Sequence, residues 1–280
     1  MVDSRTIAKI YKEQVASFLK HLKEAKRLDE EVVHKLRVDI KQLRSLYRFL
    51  EILSKNKFHR KKIQKKLSLV FDTAGELRAT ALNIKLTKKR NSKILFGFKL
   101  FLGKKAYGQE KEFLRALKKF DKKGFEKLSK KALYYFNKKD GVLVNKASKE
   151  HIGSLFTDIQ TEMPNIVNDE NFHGIRKKLK DIKTINSLLE GFKVDRVLTS
   201  RYKKIKSIEE KIGEWHDRFI FITELEVFIS HNLSKYLSRA KKTKKNNGDN
   251  EKLSLLVIDL KAKNELNKKN IAEKLKKKIL

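Results

Sequence analysis

The sequence predicts an all-α protein built from two copies of one helical plan. Asp29-Glu30-Glu31-Val32-Val33-His34-Lys35-Leu36-Arg37 returns in the second half of the chain as Asn168-Asp169-Glu170-Asn171-Phe172-His173-Gly174-Ile175-Arg176. The register then persists through Ile40 and Leu179, Lys41 and Lys180, Leu43 and Ile182, Arg44 and Lys183, Leu46 and Ile185, and Leu50 and Leu189. A repeat of this length marks a duplicated architecture. Its apolar residues recur at helical spacing, and one Pro and 11 Gly in 280 residues leave few interruptions to helices.

Taken in order, periodicity places a first helix near residues 4–26, a second near 29–53 and a third near 59–86. Asp29 is a good N-cap for the second, and the acids after it sit where the helix dipole favours negative charge. Residues 88–108 carry Asn91, Gly97, Gly103 and Gly108 among Phe96, Phe98, Phe101 and Leu102, which reads as a loop or hairpin with an apolar patch turned inward. Helical patterning resumes over 110–138 with a break near 122–124. Lys139-Asp140-Gly141 marks the boundary between halves 1–140 and 141–280. The second half repeats the plan with helices near 142–163, 169–191 and 197–238 and a final one near 250–279. Asn168 caps the second of these, and Pro164 and Asn165 separate the first two. Residues 241–250, polar and nearly devoid of apolar side chains, read as a mobile loop.

The candidate binding residues follow from spacing. His34, Arg37, Lys41, Arg44 and Arg48 recur at alternating i+3 and i+4 steps, one stripe along a helix. His173, Arg176, Lys180 and Lys183 draw a second, and Leu36, Ile40, Leu43, Leu46 and Leu50 form an apolar face beside the first. Like charges at this spacing repel by roughly 0.2–0.5 kcal/mol per pair, so the first stripe costs about 1 kcal/mol. Solubility does not require that cost twice at matching positions, whereas a polyanion neutralises both stripes at once. Lys65 and Lys66 recur in the second half as Lys203 and Lys204, and with Arg78 they are secondary candidates.

Composition points the same way. Lys and Arg number 69 against 34 Asp and Glu, a net charge of +35 that implies an anionic partner. With no cysteine, the chain has no disulfide, thiolate nucleophile or thiolate metal site. No apolar run approaches membrane-spanning length and residues 1–20 lack a signal-peptide block, so the cytoplasm is the default expectation. Nothing in the sequence calls for a cofactor or a resident metal.

Gly75-Glu76-Leu77-Arg78-Ala79 and Gly213-Glu214-Trp215-His216-Asp217 form a further repeated pair, read as places of close helix approach. A His-x-x-Arg motif with following basic residues at helical steps, twice, each with such a glycine motif on the next helix, resembles the CHAD family, the conserved-histidine α-helical domain. The resemblance covers nearly the whole chain. It implies two antiparallel four-helix bundles related by internal duplication with pseudo-two-fold symmetry. It further implies a groove between them that binds inorganic polyphosphate without catalysis, with His34, Arg37, Lys41, Arg44, His173, Arg176, Lys180 and Lys183 on its walls. Two roles fit that reading, tethering of proteins to polyphosphate granules and regulation of polymer length or availability. Ala79 departs from the family pattern, which carries an Asp there, as Asp217 does in the second copy.

Three other readings stay open. Nucleic acid suits the bulk charge, although only Tyr47 and Gln42 near the first stripe could read bases. His34-Lys35-Leu36-Arg37 resembles the phospho-accepting segment of histidine phosphotransfer bundles, but it has basic neighbours and the chain has no Gly-rich nucleotide loop. Metal-dependent hydrolysis needs converging carboxylates, for which Glu224-Leu225-Glu226 is the nearest approach. His21, His59, His151 and His231 are isolated, and Trp215 reads as core.

Overall fold

A computed structural model describes residues 4–90, 92–138, 141–166, 168–189, 196–238 and 247–279. Among these there are nine α-helices and no strand. In chain order they are α1 (Ser4–Glu24), α2 (Glu30–Leu53), α3 (Arg60–Arg90), α4 (Phe96–Lys118), α5 (Lys122–Asn137), α6 (Gly141–Glu162), α7 (Asp169–Leu189), α8 (Arg196–Ser238) and α9 (Asn247–Ile279). None of the described helices is long and apolar enough to cross a membrane.

The helix starts follow the expected capping chemistry. The Asp29 carboxylate accepts from the Val32 backbone N–H at 2.8 Å, with Glu30 and Glu31 in the first turn. Asn168 Oδ1 accepts from the Glu170 N–H at 2.9 Å at the start of α7. Asp121 caps α5 through the Gly124 N–H at 2.8 Å. Pro164 falls in a 3₁₀ turn, Met163–Asn165, between α6 and α7.

Burial fixes α2 and α7 in orientation. Leu36, Ile40, Leu43, Leu46 and Leu50 are all fully buried, as are Ile175, Leu179 and Ile182 on α7. Five such side chains contribute about 1.5–3 kcal/mol each. That sum far exceeds the repulsion along the cationic edge of α2, so apolar packing decides where the stripe points. α1 packs on α2 and α5, α6 on α7, α7 on α8 and α8 on α9, while α2 touches both α6 and α7. One apolar core runs from Ile7 to Leu275 across both halves.

Two segments differ from expectation. Residues 88–108 are not a loop or hairpin: α3 runs to Arg90, and after a 3₁₀ turn, Lys93–Leu95, α4 starts with Gly97 in its first turn and takes Gly103 and Gly108 into its interior. Each mid-helix Gly costs about 1 kcal/mol relative to Ala. Burial of Leu95, Phe98 and Leu102 against Phe221, Leu225 and Phe228 of α8 outweighs that cost. In the expected loop 241–250, residues 247–250 already belong to α9, and 241–246 lie outside the described residues. Of the expected boundary, Lys139 and Asp140 also lie outside them, and Gly141 opens α6.

Candidate functional site

The two stripes converge. A cavity of about 1000 Å³ between α2 and α7 is lined by Arg37, Lys41, Arg44 and Arg48 from one helix and His173, Arg176 and Lys180 from the other. The walls feel each other: Lys180 and Arg176 both act electrostatically on Lys41. Two expected site residues do not line it. His34 is exposed one turn toward the N-terminus of α2, and Lys183 turns to a carboxylate on α8.

The α2 wall is organised by Phe71 of α3. Arg37 Nη1 donates to the Phe71 carbonyl oxygen at 2.6 Å, and its guanidinium lies 4.4 Å from the Phe71 ring centroid. Arg44 lies over the same ring at 4.0 Å. An aromatic face attracts a guanidinium without cancelling its charge, so both cations are held while the wall stays positive. Gly75 is part of this arrangement, because a Cβ there would overlap the Arg37 guanidinium. At Gly213 a Cβ would meet Arg176 at 3.6 Å, an ordinary contact. Gly75 therefore makes room for an arginine side chain, where the sequence pointed to close approach of helices. Backbone spacing cannot reveal that, because the group needing room comes from the preceding helix of the repeat.

Glu162, Glu170 and Asp181 also line the cavity, and α8 sets two more carboxylates behind the α7 wall. Glu209 of α8 is buried and accepts from Lys183 Nζ at 3.0 Å, with Lys180 Nζ at 3.8 Å. Asp217 lies among Arg176, Lys180, Arg78 and Lys41. Burial raises its pKa against the lowering effect of these cations. His216 reaches the cavity from α8, edge-to-face with His173 at 4.5 Å between ring centroids.

Arg48 differs in kind from the other stripe residues. Its guanidinium donates to Asp181 of α7, which also accepts from Ser45 Oγ at 2.6 Å. Arg48 thus straps the two walls together at one end and spends its charge on a protein carboxylate. The secondary candidates are dispersed. Lys65 is exposed, Lys66 pairs with Asp121 at 2.5 Å, and Arg78 pairs with Glu30 while acting on His34 and Asp217. Lys203 and Lys204 lie on α8, but their side chains are outside those described.

Crowding of cations shapes the titration of the site. Burial, followed by the charges of Lys180, Arg37 and Arg176, lowers Lys41 to about 7. Burial and then Arg176 lower Lys180 to about 8. His34 and His173 are both shifted down, first by the desolvation that surrounding side chains impose, partial at His34, and then by neighbouring cations, and His216 falls to about 3. The imidazoles are therefore neutral near pH 7, and the groups poised to change charge there are lysines. The Nε atoms of Arg44, Arg48 and Arg176 are buried and have no hydrogen-bond partner among the described residues.

The carboxylates weighed as metal ligands do not converge. Glu224 pairs with Lys105 at 2.6 Å and Glu226 with Lys261 at 2.5 Å, so that Glu-x-Glu pair diverges around buried Leu225. No group of three metal-ligating side chains forms among the described residues. Trp215 is fully buried against Phe172. Phe71, Glu209 and His216 were missed as site residues, although the register of the glycine motifs offered a signal: it sets Phe71 against Glu209 and the candidate Arg78 against His216.

The sequence profile of the CHAD domain matches residues 9–226, which leaves α9 outside the match. No curated protein shows a significant sequence match. Among solved structures, the crystal structure of the CHAD domain from the plant Ricinus communis superposes with a TM-score of 0.73 at 13% identity, covering 98% of this chain and 91% of that one. PptA from Streptomyces chartreusis gives a TM-score of 0.62 at 12% identity over 99% of this chain and 100% of that one. At these identities the likeness is one of fold.

Proposed function

Because the chain belongs to the CHAD domain family, we propose that it binds inorganic polyphosphate in the groove between α2 and α7 and does not itself turn the polymer over. One observation carries the reading: cations from two helices far apart in sequence, one in each half, line one cavity. Arg37, Lys41 and Arg44 on one side and Arg176 and Lys180 on the other donate charge-assisted hydrogen bonds to phosphate oxygens, the arginines bidentately. Around that groove we read the halves 1–140 and 141–280 as duplicated four-helix bundles related by a pseudo-two-fold axis. They are α1, α2, α3 and α5, then α6, α7, α8 and α9, with α4 as an addition. Action in the cytoplasm, at polyphosphate granules, fits this reading.

Nucleic acid is the rival polyanion. Base recognition in a single strand needs a free aromatic platform, and Phe71 in the cavity is taken up by Arg37 and Arg44. A titration of long-chain polyphosphate, tripolyphosphate and DNA at matched phosphate and salt tests the proposal. Long-chain polyphosphate is expected to bind tightest and to displace bound DNA, with affinity falling as salt rises because counterions are released. DNA that resists displacement overturns the assignment.

Gly75 gives a second check. Gly75→Ala should raise helix stability, by up to about 1 kcal/mol, yet displace the Arg37 guanidinium and weaken polyphosphate binding severalfold. Gly213→Ala, with Arg176 at 3.6 Å, should leave binding nearly unchanged. Thermal melts beside binding isotherms separate the two effects. Equal binding by wild type and Gly75→Ala means that Arg37 does not need this position.

A further inference from the structure

The two walls of the groove are built from equivalent positions but not from equivalent chemistry. Phe71 on α3 and Glu209 on α8 stand at the same place in the repeat, each one turn before its glycine, Gly75 or Gly213. Each lies under its wall's cations. Phe71 holds Arg37 and Arg44 with a ring face and a backbone carbonyl. Glu209 holds Lys183 at 3.0 Å and Lys180 at 3.8 Å with a full negative charge, 6% exposed. That charge also acts on Lys41 and Arg176.

Taking the polyphosphate reading as its premise, the geometry points to Glu209 as a built-in counter-anion that competes with phosphate for Lys180 and Lys183, making α2 the holding wall and α7 the releasing wall. A phosphate oxygen that engages Lys180 or Lys183 must share that ammonium with a carboxylate that cannot leave. It also approaches like charge in a setting where solvent screens poorly. The α2 wall has a carboxylate as well, Asp72, which acts on Arg37 and Arg44 electrostatically from an exposed position. The groups that hold the two guanidiniums directly, the ring face and carbonyl of Phe71, impose no such competition. The position that decides between the two behaviours lies on the neighbouring helix, behind the cations.

Glu209→Gln keeps the size and one acceptor of the side chain while removing the charge. At about 0.1 M salt it is expected to bind long-chain polyphosphate about tenfold more tightly than wild type, with a steeper salt dependence because another cation is freed for the ligand. Glu210→Gln, an exposed neighbour of the same formal charge, controls for the change in net charge and should stay within twofold of wild type. A double-mutant cycle gives a second readout. Lys183→Gln should cost little in the wild-type background, whereas Arg44→Gln, at the equivalent position of α2, should cost about tenfold. In the Glu209→Gln background Lys183→Gln should cost severalfold, because the lysine is then available to phosphate. Unchanged or weakened binding by Glu209→Gln, equal tightening by Glu210→Gln, or the same cost of Lys183→Gln in both backgrounds overturns the inference. Wild-type protein that binds no polyphosphate sinks the functional reading as well, whereas the other outcomes sink only the role given to Glu209.

Discussion

Replacing Arg37, Lys41, Arg176 and Lys180 together by Gln is expected to lower affinity for long-chain polyphosphate by about a thousandfold. Hydrogen bonds to charged groups contribute about 1.5–3 kcal/mol each, and Gln retains part of the hydrogen bonding. A net loss of about 1 kcal/mol per position gives about 4 kcal/mol, or three decades in the dissociation constant. The salt slope should also flatten, by about three, since fewer phosphates are neutralised. Four exposed lysines, Lys61, Lys62, Lys65 and Lys118, provide the matched control. Their replacement by Gln removes the same formal charge, but from outside the cavity, and should cost less than about fivefold. Thermal melts keep folding apart from binding. Neutral replacements relieve the crowding of cations, of which Lys41 and Arg37 are held below their ordinary pKa first by burial. They also take from Glu209 and Asp217 the cations that offset them, so affinities are compared at a temperature where both variants are folded. Equal losses in the two variants would reduce the interaction to diffuse surface attraction.

What was legible in the sequence was what periodicity and repetition encode. The apolar positions Leu36 to Leu50 and their partners on α7 fix which edge of each helix is buried. Once those edges pack, the cations beside them have one direction left, which is why the stripes face one cavity. Helix existence followed for the same reason, and the caps at Asp29 and Asn168 set the starts of α2 and α7. The segment over residues 88–108 was misread because its glycines are local signals, whereas the burial that overrides them comes from α8, in the other half of the chain.

The site was legible as a set of charges and illegible as a set of pairings. Arg48 stands in perfect register with the stripe, yet Asp181 claims it, and no spacing rule connects positions on different helices. Lys183 stands in register with Arg44, yet Glu209 claims it. The histidines that define the motif look like the titrating element from their ordinary pKa near 6.5. In place, desolvation and then neighbouring cations shift both of them down. The same surroundings move lysines into the physiological range, a consequence of three-dimensional crowding that a linear pattern does not contain.

That crowding leads to the second large effect. Affinity for polyphosphate is expected to be nearly constant below about pH 6.5 and to fall by between about tenfold and a hundredfold from pH 6.5 to 8.5. In the free protein Lys41 loses its proton near 7 and Lys180 near 8. A phosphate oxygen beside each ammonium favours the charged form, so above these values binding must be accompanied by proton uptake, and each decade of pH beyond a group's free pKa weakens binding by up to tenfold. Calorimetry at pH 7.5 in buffers of different ionisation enthalpy should therefore register net proton uptake of about one. Lys41→Arg is the decisive variant, because guanidinium stays charged throughout this range. Its affinity should decline much less, while His34→Asn and His173→Asn should leave the slope above pH 6.5 as it is. The free protein should respond in the opposite sense. The folded pKa of Lys41 lies below its unfolded value near 10.4, so the unfolded chain holds more protons between about pH 7 and 10.5, and stability contributed by this group rises across that window. A wild-type affinity that is flat from pH 6.5 to 8.5, with no proton taken up, would mean that phosphate does not reach Lys41, and the ligand would then have to lie outside the groove between α2 and α7.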